Sequence, residues 1–219
     1  MELLEFARGP ALTLGLVLFV AGTAFRIASL FLMWRTRDSS EGRPRRRPVV
    51  IAALREIMRR MWPESVYRQR SLFMLINGYV FHVGLFLIVF GLLPHILFFE
   101  DLLGLAWPHL PNNVIYAVSV LTGVSLIAAL IMRVSNPVLR IISTFDDYFS
   151  WLVTFLPVIS GLAATSHLGA RYETLLALHI LSVALFFAWL PFGKLMHWFL
   201  VFVTRSQTGA QLNRRGAQL

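Results

Sequence analysis

The chain has 219 residues, 57% of them hydrophobic, and a net charge of +9; with a mean hydropathy of +0.69, its apolar content exceeds that of a water-soluble domain of this size and points to a membrane protein. The absence of cysteine excludes a cysteine-ligated iron-sulfur cluster, a thioether-attached haem and a disulfide framework in this chain. The positive charge does not call for a nucleic-acid partner, because most of it lies in one connection between apolar runs, where membrane topology accounts for it.

A helix that crosses a bilayer needs about 20 predominantly apolar residues. Five stretches qualify: about Ala11–Trp34, Leu72–Phe99, Val114–Met132, Phe149–Thr165 and Leu175–Val203. They predict an all-α bundle of five transmembrane helices forming a single membrane domain, residues 1–219. Met1 to Phe6 carries two glutamates, and the run that follows has no small-residue cleavage site with a basic flank. The first stretch is therefore expected to be a retained helix and not a signal peptide.

Between the first two stretches, Arg35 to Arg70 holds eleven arginines against Asp38, Glu41, Glu56 and Glu64. Lys and Arg concentrate in cytoplasmic connections, so the N-terminus is expected outside and the C-terminus in the cytoplasm. The later connections agree, since Glu100–Asn113 has acids but no Lys or Arg, while Arg133 and Arg140, and then Arg205, Arg214 and Arg215, fall on the inner side. Within the basic loop, about 35–71, Pro48 suits a first helical position. Val50, Leu54, Ile57, Met58 and Met61 recur there at helical spacing opposite Arg55, Glu56, Arg59 and Arg60. An amphipathic helix on the inner membrane surface is expected, its arginines directed at anionic lipid or at a protein partner. RPRRRP, Arg43–Pro48, is read as part of this loop and not as a targeting signal. The outer connection LGLAWPHLPNN, Leu103–Asn113, is rich in turn residues and sets Trp107 beside His109, as an interfacial loop would.

Ionisable groups inside a membrane are costly and are functional candidates by default. Four of the six histidines fall in the predicted spans: His82 and His95 in the second, His179 and His197 in the fifth. On a continuous helix, His179 and His197 share a face about 27 Å apart, whereas His82 and His95 stand about 20 Å apart and about 140° out of register. Pro94 removes a backbone donor just before His95, and a kink there would swing that ring round. In the topology above the two spans are antiparallel, so His82 lies at the depth of His197 and His95 at that of His179. Two imidazoles facing each other across a bundle can ligate a haem iron from both sides, leaving no open position, which suits electron transfer. A zinc site would gather four ligands in one place, and a proton relay would show intramembrane carboxylates, of which the five stretches have none. Two other readings stay open: a non-redox transporter or assembly factor whose histidines hydrogen-bond between helices, and a monohaem cytochrome with only the inner pair filled. Lys194, Arg171 and Arg26 are candidates to meet haem propionates, although the first two also suit snorkelling to the interface.

FHVG (Phe81–Gly84), STFDDY (Ser143–Tyr148) and LHILSVALFFAWLPFGKLMHW (Leu178–Trp198) resemble motifs of the membrane gamma subunit of respiratory nitrate reductase and its relatives, the dihaem cytochrome b subunits of dissimilatory sulfite-reduction and heterodisulfide-reductase-like complexes. The resemblance covers about Tyr79 to Trp198. It implies two b-type haems in the prokaryotic cytoplasmic (inner) membrane, and quinol oxidation or quinone reduction near the outer haem. It also implies a cytoplasmic iron-sulfur or molybdoenzyme-type partner subunit. His82 and His197 match the ligands of the inner haem iron, and His179 matches one ligand of the outer. The family's fourth ligand follows the first by ten residues, a position held here by Leu92, so His95 is expected in its place, with the loop residues His109 and His167 as the other candidates. This departure favours a related complex over nitrate reduction itself. His95, Trp107 and His109 are the expected quinone neighbourhood.

Overall fold

The computed structural model describes residues 2–32, 47–166 and 169–216. His167 and the first part of the basic loop, up to Arg46, lie outside the described residues. Among those described, every regular element is a helix.

Helix α1, Leu3–Leu32, begins before the predicted Ala11. Pro10 cannot donate to the turn before it, and a wide π turn over Ala7–Ala11 accommodates the gap. The amphipathic α2, Val49–Arg59, starts directly after Pro48. Helix α3, Ser65–Gly91, is followed by α4, Leu93–Leu103, which ends on Gly104 at φ 68°, the left-handed conformation that closes a helix. Then come α5, Asn112–Ser135, and the short α6, Pro137–Ile142, whose cap is the Asn136 side chain accepting from the Val138 and Leu139 amides. Helices α7, Phe145–Ser166, and α8, Tyr172–Trp189, lead through a 3₁₀ turn, Lys194–Met196, into α9, His197–Arg214.

Five helices are long and apolar enough to cross a membrane. They keep large apolar side chains such as Val20, Phe25, Phe86, Val124 and Ile131 exposed. Such a surface is stable only against lipid, so the chain is a multi-pass membrane protein.

Two of the predicted spans are interrupted. The second is not one helix over 72–99: Pro94 offers no N–H to the Phe90 carbonyl, and α3 gives way to α4 around Leu92. The fifth is not one helix over 175–203: Pro191 likewise ends α8, and the chain restarts at His197. The eighteen-residue register between His179 and His197 therefore does not run along a single helix.

The helices pack in the order α3, α5, α7, α8, α1. Asn77 on α3 donates to the Ser125 carbonyl at 3.0 Å and accepts from the Ser125 hydroxyl at 2.7 Å, clamping α3 to α5. Nearby, Gly84 lets Thr122 approach so closely that a Cβ would collide with its hydroxyl. Trp151 ties α7 to α5 by donating to the Leu126 carbonyl at 2.7 Å. Among the described residues α3 and α8 make no extensive contact, so the string of helices is left open between those two.

Helix α2 packs on α9 through its small and acidic face, not its apolar one. Glu56, expected on a solvated face, is 0% exposed and sits over Gly209, where a Cβ would strike the Ala52 carbonyl and Glu56 itself. Arg59 grips the carboxylate with two hydrogen bonds, 2.9 and 3.1 Å, and Arg60 adds a third. The stripe Val50, Leu54 and Met58 is left exposed, ready for the membrane surface. The hydrogen bonds from Arg59, reinforced by Arg60 against the effect of burial, hold the Glu56 carboxyl below its ordinary value of 4.5. A depressed carboxylate contributes stability that is complete above the unfolded value and is lost as pH falls through the folded one. The chain has no cysteine, so spin labels placed at Arg55 and Gln211 can read the α2–α9 separation alone. The distance should hold on acidification to about pH 4.5 and lengthen only below it.

Candidate functional site: two imidazole pairs between α3–α4 and α8–α9

Across the open side of the bundle the four membrane histidines meet in two pairs. His82 of α3 faces His197 at the start of α9, with ring centroids 5.8 Å apart and planes at 87°. His95 of α4 faces His179 of α8 at 6.1 Å, planes at 15°. Each pair joins one histidine inside a long helix to one set just beyond a helix break.

All four Nδ1 atoms are engaged. Taken as N–H donors, they bond the Gly78 carbonyl (His82, 2.8 Å), the Ile88 carbonyl (His95, 3.0 Å) and the Lys194 carbonyl (His197, 2.8 Å). The fourth, His179, donates to the Ser160 hydroxyl at 3.2 Å, and that hydroxyl donates onward to the Leu156 carbonyl at 2.6 Å. Ser182 bonds the His179 carbonyl at 2.7 Å. Fixing Nδ1 as the donor leaves the lone pair of each neutral ring on Nε2, the arrangement that prepares a histidine to ligate a metal. Gly161 lies against the His179 ring, where a Cβ would stand 3.1 Å from Cε1.

The break before His95 is closed by the connection between α4 and α5. With no amide at Pro94, the Phe90 carbonyl accepts instead from Trp107 Nε1 at 2.6 Å, and the Gly91 carbonyl accepts from the Leu110 amide at 2.9 Å. Trp107 also packs its ring on Phe90 and Phe99. His109 is exposed and, among the described residues, bonds only the neighbouring Leu110 carbonyl, at 3.1 Å. Trp107→Phe keeps the ring and strands the Phe90 carbonyl, a loss of about 1 to 3 kcal/mol. Lower thermal stability and faster amide exchange around Leu92 to Ile96 are expected, and unchanged exchange there would separate Trp107 from the break.

The break before His197 is held by the STFDDY segment. Asp146 accepts the Lys194 amide with both oxygens, at 3.1 and 3.0 Å, and takes the Ser150 hydroxyl at 2.7 Å. Ser150 in turn accepts from Trp189 Nε1 at 3.0 Å. Asp147, its side chain 9% exposed, pairs with Arg133 at 2.9 Å and with the Lys194 ammonium, and accepts the Thr144 amide at 2.9 Å. Both sides of the break, Trp189 and Lys194, are thus tied to the first turn of α7, and the Lys194 carbonyl orients His197. Sequence reading had singled out STFDDY without this role, and it missed Ser160 and Ser182, whose only signal was a hydroxyl inside an apolar run.

Of the cations named as propionate partners, Lys194 is occupied by Asp147. Arg171 is 89% exposed at the start of α8, 3.9 Å from Glu173. Arg26 is half-buried on α1. One turn from Arg26, Thr23 Oγ1 is buried and, among the described residues, the one such side-chain polar atom without a partner.

The spacing of the rings in each pair is that of a bis-imidazole haem. A metal–imidazole bond is about 2 Å and a ring centroid lies about 1 Å behind its nitrogen, so two rings bound to opposite sides of one iron stand about 6 Å apart. Both pairs have that spacing. Among the described residues no three of His, Asp and Glu converge, as a compact metal-ion site would require.

No family model matches the chain, and no solved structure matches it. It is 30% identical over 217 residues to a protein of Nitratidesulfovibrio vulgaris described only as "Protein", an alignment spanning 97% of this chain and 95% of that one. Identity at that level across nearly the full length of both chains means that the chain belongs to the same family as this Nitratidesulfovibrio vulgaris protein.

Proposed function

We propose that the chain is a dihaem cytochrome b subunit of the prokaryotic cytoplasmic membrane that exchanges electrons between membrane quinone and a cytoplasmic iron-sulfur or molybdoenzyme-type partner. The observation that carries this reading is the spacing of the two imidazole pairs, 5.8 and 6.1 Å, with every Nδ1 held by a neighbouring oxygen. His82 and His197 would hold the inner haem, and His95 and His179 the outer one. Iron bound between two imidazoles supplies one-electron chemistry with no site open to substrate.

The chain's own residues fix the ring positions before any ligand arrives. Pro94 and Pro191 break the helices, while the Trp107 side chain and the two aspartates hold those breaks shut. Thr23 and Arg26 offer a hydroxyl and a guanidinium on α1 for propionates. The quinone neighbourhood we assign to the outer connection around His95, Trp107 and His109. The arginine-rich side, where α2 meets α9, would receive the partner. The test is a reduced-minus-oxidised visible spectrum of the purified chain: a low-spin b-type signal with two haems per chain is expected, and its absence removes the reading.

A further inference from the structure

Where α2, α3 and α9 meet, a cavity of about 520 Å³ is lined by Arg59, Arg60, Trp62, Tyr67 and Arg205, among others. Its charges are unequally used. Arg59 is committed to Glu56 and, at 2.7 Å, to Glu64. Arg60 spends only Nε on Glu56, and Arg205 gives one nitrogen to the Met61 sulfur at 3.4 Å, a weak acceptor. Among the described residues the remaining nitrogens of Arg60 and Arg205 have no acceptor, so two guanidinium forks open onto one cavity.

The depth of that cavity can be read from the helices that form it. Helix α9 changes from apolar to polar between Val203 and Thr204, and α3 changes from polar to apolar between Ser71 and Leu72. At 1.5 Å of rise per residue, Arg205 lies about 3 Å beyond its boundary and Tyr67 about 7 Å beyond its own. The headgroup layer is about 5 to 7 Å thick on each side of the hydrocarbon core, and the cavity falls within it. The exposed stripe of α2, Val50, Leu54 and Met58, together with exposed Trp62, supplies apolar surface on the neighbouring helix.

We infer that this cavity binds a phosphate group, that of an anionic phospholipid of the adjoining leaflet, held by Arg60 and Arg205. Paired guanidinium forks match phosphate oxygens in a way that single charges do not. Trp62 and Tyr67 line the same cavity, as suits aromatic side chains at the membrane interface. The site is independent of whether haem occupies the histidine pairs.

Native mass spectrometry of the full chain, titrated with phosphatidylglycerol and with phosphatidylcholine, tests it. One phosphatidylglycerol should be retained in preference to phosphatidylcholine, and Arg205→Gln should weaken it about fivefold. Arg205 bonds only the Met61 sulfur among the described residues, so this variant keeps the α2–α9 contact, which circular dichroism melting checks; Arg60→Gln should act in the same direction. Arg140→Gln, on α6 and outside the cavity, should change nothing. Titration with inorganic phosphate separates the sources: saturable phosphate binding lost in Arg205→Gln, with no lipid retained, would assign the same site to a soluble phosphate. Equal weakening in Arg140→Gln, or full retention of both ligands in Arg205→Gln, would overturn the site.

Discussion

Replacing His197 by alanine is expected to lower the haem content from two per chain to one, and His82→Ala is expected to remove the same haem. The two rings face each other at 5.8 Å, so they form one site and their losses should not add. The double variant should retain the single remaining haem. His95→Ala and His179→Ala should likewise share a haem, the other one, because those rings meet at 6.1 Å. Pyridine haemochrome stoichiometry with low-temperature visible spectra of the four single variants and the two doubles makes the comparison. The pattern matters more than the loss. If His82→Ala and His197→Ala removed different haems, the pairing would be wrong even if both haems were real. If His95→Ala left both haems bound, His95 would not be a ligand, and the partner of His179 would have to be sought at His109 or His167.

Which rings pair was legible in the sequence because two quantities sufficed: the expected antiparallel course of the second and fifth spans, and the spacing of histidines along each. The route to it was not. His179 and His197 were expected on one face of one helix, yet Pro191 ends that helix and a turn re-aims His197. His95 was expected to be about 140° out of register on an ideal helix, and the break at Pro94 removes the conflict. In both places a proline was visible, but periodicity assumes an unbroken axis and has nothing to say about direction after a break. What closes the breaks was harder still to read. Asp146 reaches a Lys194 amide 48 residues away, and Glu56 packs beneath Gly209 far down the chain; such pairings depend on which helices become neighbours. Trp107 is the intermediate case. Pro94 guarantees an orphan carbonyl at Phe90, so a donor in the next connection could be sought, though the sequence alone did not choose between Trp107 and His109.

Asp146→Ala is expected to disturb the inner pair while leaving the outer one intact. The carboxylate accepts the Lys194 amide and the Ser150 hydroxyl, and Ser150 accepts from Trp189, so one side chain spans the break from α8 to the 3₁₀ turn. Hydrogen bonds to a charged acceptor contribute about 1.5 to 3 kcal/mol each when buried; the Lys194 end is open to solvent, so a loss of about 2 kcal/mol at the turn is the reasonable scale. Asp147 keeps its own bonds to Arg133 and Lys194, and the fold should therefore survive the change. The consequence reaches the site through a single link, the Lys194 carbonyl that accepts from His197 Nδ1 at 2.8 Å. Loosening that carbonyl frees the ring to rotate and lowers its basicity, and losses of outer partners of this kind weaken metal binding about 10- to 100-fold. Partial occupancy of the inner haem and a shifted midpoint potential should result, with the outer haem unaltered. Asp146→Asn, which retains one acceptor oxygen, should fall between the variant and the native chain. A thermal midpoint lowered in Asp146→Ala with inner-haem occupancy and potential unchanged would make the aspartate a support of the fold alone, and would leave the orientation of His197 to the turn itself.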